Sequence, residues 1–239
     1  LIIFFFFLIN SCSYFDEAEE ILPGKRQNVF KFEDDIILKS NEKIKIDESI
    51  SVNSWSQQYQ NERNHLFHFK SKSKLSLKRK IKLNDIAFDK IDHVTIPVFD
   101  FKNVYYADNE FNVYSTNLKN GKVNWTVRLK NEKTENLPFI GGFSLHKNEL
   151  FITSGLGNIY SVNAENGEII WKKKLLAQFS RPPLVFKNKI IVVSDDNQTF
   201  ALNTQDGNLM WSHVGNLEEV SIIGGSKPVV TENIVIITY

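Results

Sequence analysis

Cysteine is almost absent from this chain. Cys12 is the single one among 239 residues, so neither a disulfide framework nor a Cys-based metal site can form within it. An excess of one charge is missing as well: 29 Lys and Arg face 28 Asp and Glu, for a formal net charge of +1. Such a chain has no bulk field to draw it to nucleic acid, which is excluded as a partner. Long apolar runs are also lacking. Leu1 to Ile9 (LIIFFFFLI) is too short to span a bilayer and suits the apolar core of a signal peptide. Proline is scarce, at six, whereas 42% of residues are hydrophobic and 19 are Phe, the composition of a folded chain.

Recognisable catalytic patterns are missing too. The five His residues (65, 68, 93, 146 and 213) form no HExxH pair. His65 and His68 lie three apart in strand-like sequence, where they would face opposite ways, which argues against a metal site. Asp195-Asp196 reads as a turn between strands. Gly155-Leu156-Gly157 reads as a hairpin turn without the strand-to-helix setting of a phosphate loop. No Ser/His/Asp arrangement stands out. We therefore expect no catalytic residue, no metal ligand and no cofactor.

What the chain does have is a repeat. Asn188 to Trp211 (NKIIVVSDDNQTFALNTQDGNLMW) is echoed by Asn148 to Trp171 and by Asn103 to Trp125. Each copy holds an apolar strand, a polar break, a second strand ending in Asn, a Gly turn, and a third strand reaching Trp. The tryptophans Trp125, Trp171 and Trp211 fall at steps of 46 and 40. A period of about 40–45 residues with several short strands per unit is the mark of propeller blades, so the fold class expected is all-β, a β-propeller of four-stranded blades.

Inside each copy, Asn120-Gly121, Asn166-Gly167 and Asp206-Gly207 read as tight hairpin turns whose residues accept positive φ. Asn117, Asn163 and Asn203 can fold their side chains back to start the turn. After it, Val123, Trp125, Val127 and Leu129 alternate with polar residues, a period-2 pattern with one buried face. The recurrent Trp is expected to pack between neighbouring sheets, its N–H on a carbonyl. Each unit opens on a short strand: Ile96-Pro97-Val98-Phe99, Gly142-Phe143-Ser144-Leu145, Pro183-Leu184-Val185-Phe186 and Pro228-Val229-Val230. Proline is tolerated there because its missing N–H lies outside the ladder.

Upstream, the run Ile9-Asn10-Ser11-Cys12 resembles a bacterial lipobox. By that resemblance residues 1–11 are a signal peptide, Cys12 is lipidated, and the protein is held on a membrane facing the periplasm. Ser13 after the Cys is compatible with export to the outer membrane. Residues 12–43 are expected to be the lipidated Cys and a flexible polar tether, and 44–239 a partial propeller. The segment around Trp55 is expected to supply strands to the last blade and close the ring. The basic stretch Lys70 to Lys82 reads as solvated edge protection on a strand. With Leu1 in place of Met and a fourth copy broken off at Tyr239, the chain is expected to be a fragment.

The N-x-x-x-G-x-x-x-W units resemble the repeats of PQQ-type β-propellers, commonly eight-bladed, of which about half would be present here. Two branches are in view. Quinoprotein dehydrogenases hold PQQ and Ca²⁺ in the channel, but their vicinal cysteine pair cannot exist in this chain. The phrases Gly141-Gly142-Phe143, Ser180-Arg181-Pro182-Pro183 and Gly224-Gly225-Ser226-Lys227-Pro228, with the lipobox and lone Cys, resemble the BamB family more closely. That resemblance implies a non-enzymatic outer-membrane lipoprotein of the β-barrel assembly (Bam) machinery. Its partners would be the POTRA region of BamA, other Bam subunits and unfolded barrel clients. The BamA-binding loop would correspond to Leu217, Val220, Ile222 and Ile223, with Ile223 standing where the family has a basic residue. The alternative reading is a PQQ-dependent dehydrogenase whose active site lies outside these residues.

Overall fold

The computed structural model describes residues 43, 45–71, 74, 76–77, 80, 95–108, 110–129, 140–216, 225–232 and 234–238. The chain divides into two units, Leu1–Lys45 and Ile46–Tyr239. The architecture below is that of the second.

Three four-stranded antiparallel sheets follow one another along the chain, each an up-and-down meander. The first holds β1 (Val98–Phe99), β2 (Asn103–Ala107), β3 (Asn112–Asn117) and β4 (Val123–Arg128). The second holds β5 (Ile140–His146), β6 (Glu149–Ser154), β7 (Asn158–Asn163) and β8 (Ile169–Lys174). The third holds β9 (Leu184–Phe186), β10 (Lys189–Val193), β11 (Gln198–Asn203) and β12 (Leu209–Val214). A pair, β13 (Val229–Val230) and β14 (Val235–Ile236), begins a fourth. No helix occurs among the described residues. β1 lies against β5 and β5 against β9, so the opening strands are the inner ones and β4, β8 and β12 the outer ones. These sheets are blades of a partial β-propeller.

The cores lie between sheets. On β6, Leu150 and Ile152 join the cluster shared with the first sheet, while Phe151 joins the one shared with the third. On β10, Ile190 and Val192 face the second sheet, and Ile191 faces Val230 of the fourth. A strand buried on both faces loses its polar alternation, which is why β6 and β10 read ELFITS and KIIVV. The outer strands β8 and β12 are largely exposed and keep Lys or polar residues.

The turns before the outer strands are wider than a two-residue hairpin. Gly121, Gly167 and Gly207 donate their N–H to the carbonyls of Asn117, Asn163 and Asn203, four residues back, at 2.8, 2.9 and 3.0 Å. Only the glycines take positive φ there (73°, 80° and 68°), and Asn120, Asn166 and Asp206 do not. The side-chain oxygens of Asn117, Asn163 and Asn203 each accept the backbone N–H two residues on, at 2.8–2.9 Å. The two-residue hairpins lie elsewhere, at Lys147-Asn148 and Lys187-Asn188, where the lysines hold φ of 55° and 56°.

Candidate functional site

Two sets of contacts join one sheet to the next. At the outer rim, the Trp125 indole donates to the Ala164 carbonyl at 2.9 Å, and its face lies over Gly167, where an added Cβ would meet ring carbons at 2.8 Å. Trp171 repeats this on Thr204 at 2.9 Å and on Gly207, again at 2.8 Å. The residues beneath match as well: Tyr105 and Phe151 each tilt against their Trp with centroids 6.0 Å apart. Trp125 is 8% exposed, whereas Trp211, met by no such turn among the described residues, is 37% exposed.

At the inner rim the three phrases quoted above come together. A Cβ on Gly141 would strike the Phe179 carbonyl, one on Gly142 would strike Pro182, and one on Gly225 would strike the Arg181 guanidinium. Thr153 Oγ1 donates to the Arg181 carbonyl at 2.7 Å, and Ser144 Oγ to that of Pro183. The glycines therefore mark close approach of one blade's entry to the next.

Residues 46–71 depart from expectation. They form isolated bridges in place of the blade strands expected around Trp55. Residues 55–64 cross the inner edges of all four sheets as a strap. Trp55 and Phe99 exchange backbone hydrogen bonds at 2.7 and 2.9 Å, and Leu145 N–H donates to the Ser56 carbonyl at 2.7 Å. The Gln57 amide acts as a peptide group: its Nε2 donates to the Val185 carbonyl at 3.0 Å and its Oε1 accepts the Val185 N–H at 3.3 Å. Val230 N–H donates to the Glu62 carbonyl at 3.0 Å. Positive φ at Tyr59, Gln60 and Asn64 breaks the extended run, so the segment cannot pair as a regular strand.

The strap encloses Lys227, which is 1% exposed. Its Nζ donates to the Asn61 carbonyl at 2.8 Å and to Gln57 Oε1 at 3.2 Å, while Asn64 Nδ2 reaches back to the Lys227 carbonyl at 3.0 Å. Burial pushes the Lys227 pKa down from 10.5 to about 7, and the charge of Glu62 opposes that shift. Nothing in the surrounding sequence signals this burial.

Of the other residues singled out above, Cys12, Leu217, Val220, Ile222 and Ile223 lie outside the described residues. The ends flanking the last four are held. Gly215 N–H donates to the Asn197 carbonyl at 2.8 Å, Asn197 Nδ2 donates to the Asn216 carbonyl at 3.0 Å, and Gly225 abuts Arg181. The segment after β8 exposes Leu176 beside a cleft of about 530 Å³ lined by Leu175, Ala177, Asp195 and Asp196. Lys70, Lys74 and Lys80 are exposed, but no strand forms around them in the described residues. His68 Nδ1 contacts the Asp47 carbonyl at 2.9 Å and His65 stacks on Phe67, so the two rings share no site. Among the described residues no group of three or more His, Cys, Asp or Glu side chains is gathered to hold a metal ion.

Repeated four-stranded blades locked by Trp on a Gly turn define a propeller of PQQ-like repeats. The family model described as outer membrane protein assembly factor BamB matches residues 109–239, more than half of the chain, and the chain belongs to that family. No curated protein matches it. Similar solved structures include BamB from Moraxella catarrhalis, at 16% identity and a TM-score of 0.47 over 59% of this chain and 44% of that one. Quinohemoprotein alcohol dehydrogenase from Comamonas testosteroni is 18% identical, with a TM-score of 0.43 over 50% of this chain and 20% of that one. A europium-containing methanol dehydrogenase is 19% identical, with a TM-score of 0.42 over 48% and 23%. The chain thus spans less than half the length of each.

Proposed function

We propose that this chain is a non-enzymatic scaffold of the outer-membrane β-barrel assembly machinery, held on the periplasmic face of the outer membrane by lipid on Cys12. In this reading residues 1–11 are the signal peptide, 12–43 the anchor and tether, and 44–239 the propeller. The family match over residues 109–239 carries the reading. It is supported by the sequence of residues 217–224, which holds Leu217, Val220, Ile222 and Ile223, and by the described residues on either side, Gly215, Asn216 and Gly225, which are held as above. Four aliphatic residues within this stretch suit an apolar contact with a partner protein. The partner proposed is the POTRA region of BamA.

The test is capture of the tagged, membrane-anchored chain from mildly solubilised membranes. The expected result is recovery of BamA with the wild type and at least about tenfold less with Val220→Asp/Ile222→Asp, because charges are being forced into an apolar contact. Absence of BamA from the wild-type capture, with a quinone-like absorbance travelling with the protein, would transfer the reading to a PQQ-dependent dehydrogenase.

A further inference from the structure

Two of the three glycine turns carry the same chemically labile pair. Asn120-Gly121 and Asn166-Gly167 each place an exposed asparagine amide next to a residue with no side chain, while the third turn has Asp206-Gly207. In such a pair the glycine nitrogen can attack the asparagine Cγ, because no Cβ obstructs the five-membered ring that closes. The folded turn restrains that attack. Gly121 and Gly167 donate their N–H to the carbonyls of Asn117 and Asn163 at 2.8 and 2.9 Å, so the nitrogen is freed only when the turn opens locally.

The two turns share that bond and differ in what surrounds it. Gly167 is buried beneath the Trp125 indole, so opening there must also displace a ring packed between sheets. Gly121 is only partly buried. The residue after the glycine differs too. Glu168 Oε2 accepts from Asn166 Nδ2 at 2.8 Å and so holds the amide that would have to leave. Its negative charge also disfavours loss of the Gly167 proton. The first turn has the exposed Lys122 at this place, whose charge acts in the opposite sense. In both turns the asparagine Oδ1 accepts the backbone N–H of this residue, at 2.9 and 3.0 Å, so that contact does not distinguish them.

We infer that Asn120 is a site of spontaneous covalent modification, where the folded chain deamidates through a cyclic imide while Asn166 is protected. The Gly121 nitrogen gives its proton to solvent and bonds to Asn120 Cγ; the Cγ–Nδ2 bond breaks and the amide nitrogen leaves as ammonia. Water then opens the imide. Opening at Cγ gives aspartate, and opening at the backbone carbonyl gives isoaspartate, which routes the chain through the former side chain and lengthens it by a methylene. Either product adds a negative charge to an exposed turn. Aspartate fits the turn as it stands: Asp206 occupies this place in the third turn, and its Oδ1 accepts the Asn208 N–H at 3.0 Å as Asn120 Oδ1 accepts that of Lys122. Isoaspartate enlarges the ring closed between Gly121 and Asn117 and misplaces the entry to β4.

Peptide mapping by mass spectrometry tests this on the full chain, incubated at mildly alkaline pH and sampled over weeks. In the folded chain, conversion at Asn120 is expected to be at least about tenfold faster than at Asn166; in urea, where neither turn exists, the two rates should agree within about threefold. Glu168→Lys and Trp125→Phe should each speed conversion at Asn166 by about threefold or more and leave Asn120 unchanged. Equal rates at the two sites in the folded chain, faster conversion at Asn166, or an Asn120 that converts in urea and stays intact when folded would each overturn the inference. An Asn166 that responds to neither variant would overturn the account of its protection. The wild-type and Glu168→Lys comparisons stand by themselves if Trp125→Phe does not fold.

Discussion

Gly167 and Gly207 carry two constraints at once, a left-handed backbone and an indole pressed on the Cα. Gly121 has the backbone constraint alone, with no indole over it among the described residues. Gly121→Ala should therefore cost about 1 kcal/mol, and Gly167→Ala about 2–4 kcal/mol because Trp125 must also move. Denaturant midpoints of the full chain read the difference, which isolates the contact between sheets. Lys227 gives a prediction in pH. In the unfolded chain its amine stays protonated up to about 10.5, while in the folded chain it is neutral above about 7. Between these values the unfolded state binds more protons, so stability rises with pH from about 7 towards 10.5, by an amount on the order of a few kcal/mol. Below about 7 both states are protonated and the full cost of burial is present. Lys227→Met should remove this slope, as measured by chemical denaturation at pH 7 and pH 9.5. The Trp and Gly positions stand out in the sequence because the contact recurs once per blade. Lys227 does not, because its acceptors, Asn61 and Gln57, lie far off in sequence and belong to no repeat.

Among the elements, strands and their order were the most legible feature, because period-2 patterning and a 40–45-residue recurrence reinforce each other. Turn chemistry was less so. Asn-Gly is the common signature of a two-residue hairpin, yet here the Gly closes a wider turn in which Asn117, Asn163 or Asn203 folds back on the backbone. The true two-residue turns use Lys147 and Lys187, side chains that no preference for positive φ would pick out. Lys187→Gly should accordingly stabilise the chain by about 0.5–1 kcal/mol, measured as a higher thermal midpoint. Ile44, Ile46, Ile50 and Val52 alternate as a strand would, whereas the contacts of the strap begin beyond them, in the Gln- and Asn-rich run.

At the scale of the molecule, three apolar clusters lie each between adjoining sheets, so stability is a series of nearest-neighbour interfaces. Leu150 and Ile190 are register equivalents in different clusters and are fully buried. Leu150→Ala and Ile190→Ala should each cost about 2–5 kcal/mol, and the double variant should equal their sum within about 0.5 kcal/mol. Coupling larger than that, in urea titrations, would mean that the sheets are not energetically local.

The strap is the exception to that locality, and it sets an order in time. Gln57 and the Lys227 it must meet are separated by 170 positions. During synthesis at about 5–20 residues per second, the strap waits roughly 10–35 s for its last partner to be made. Blades can pack one behind another as they emerge, but the earliest of these segments to leave the ribosome is the last to find its place.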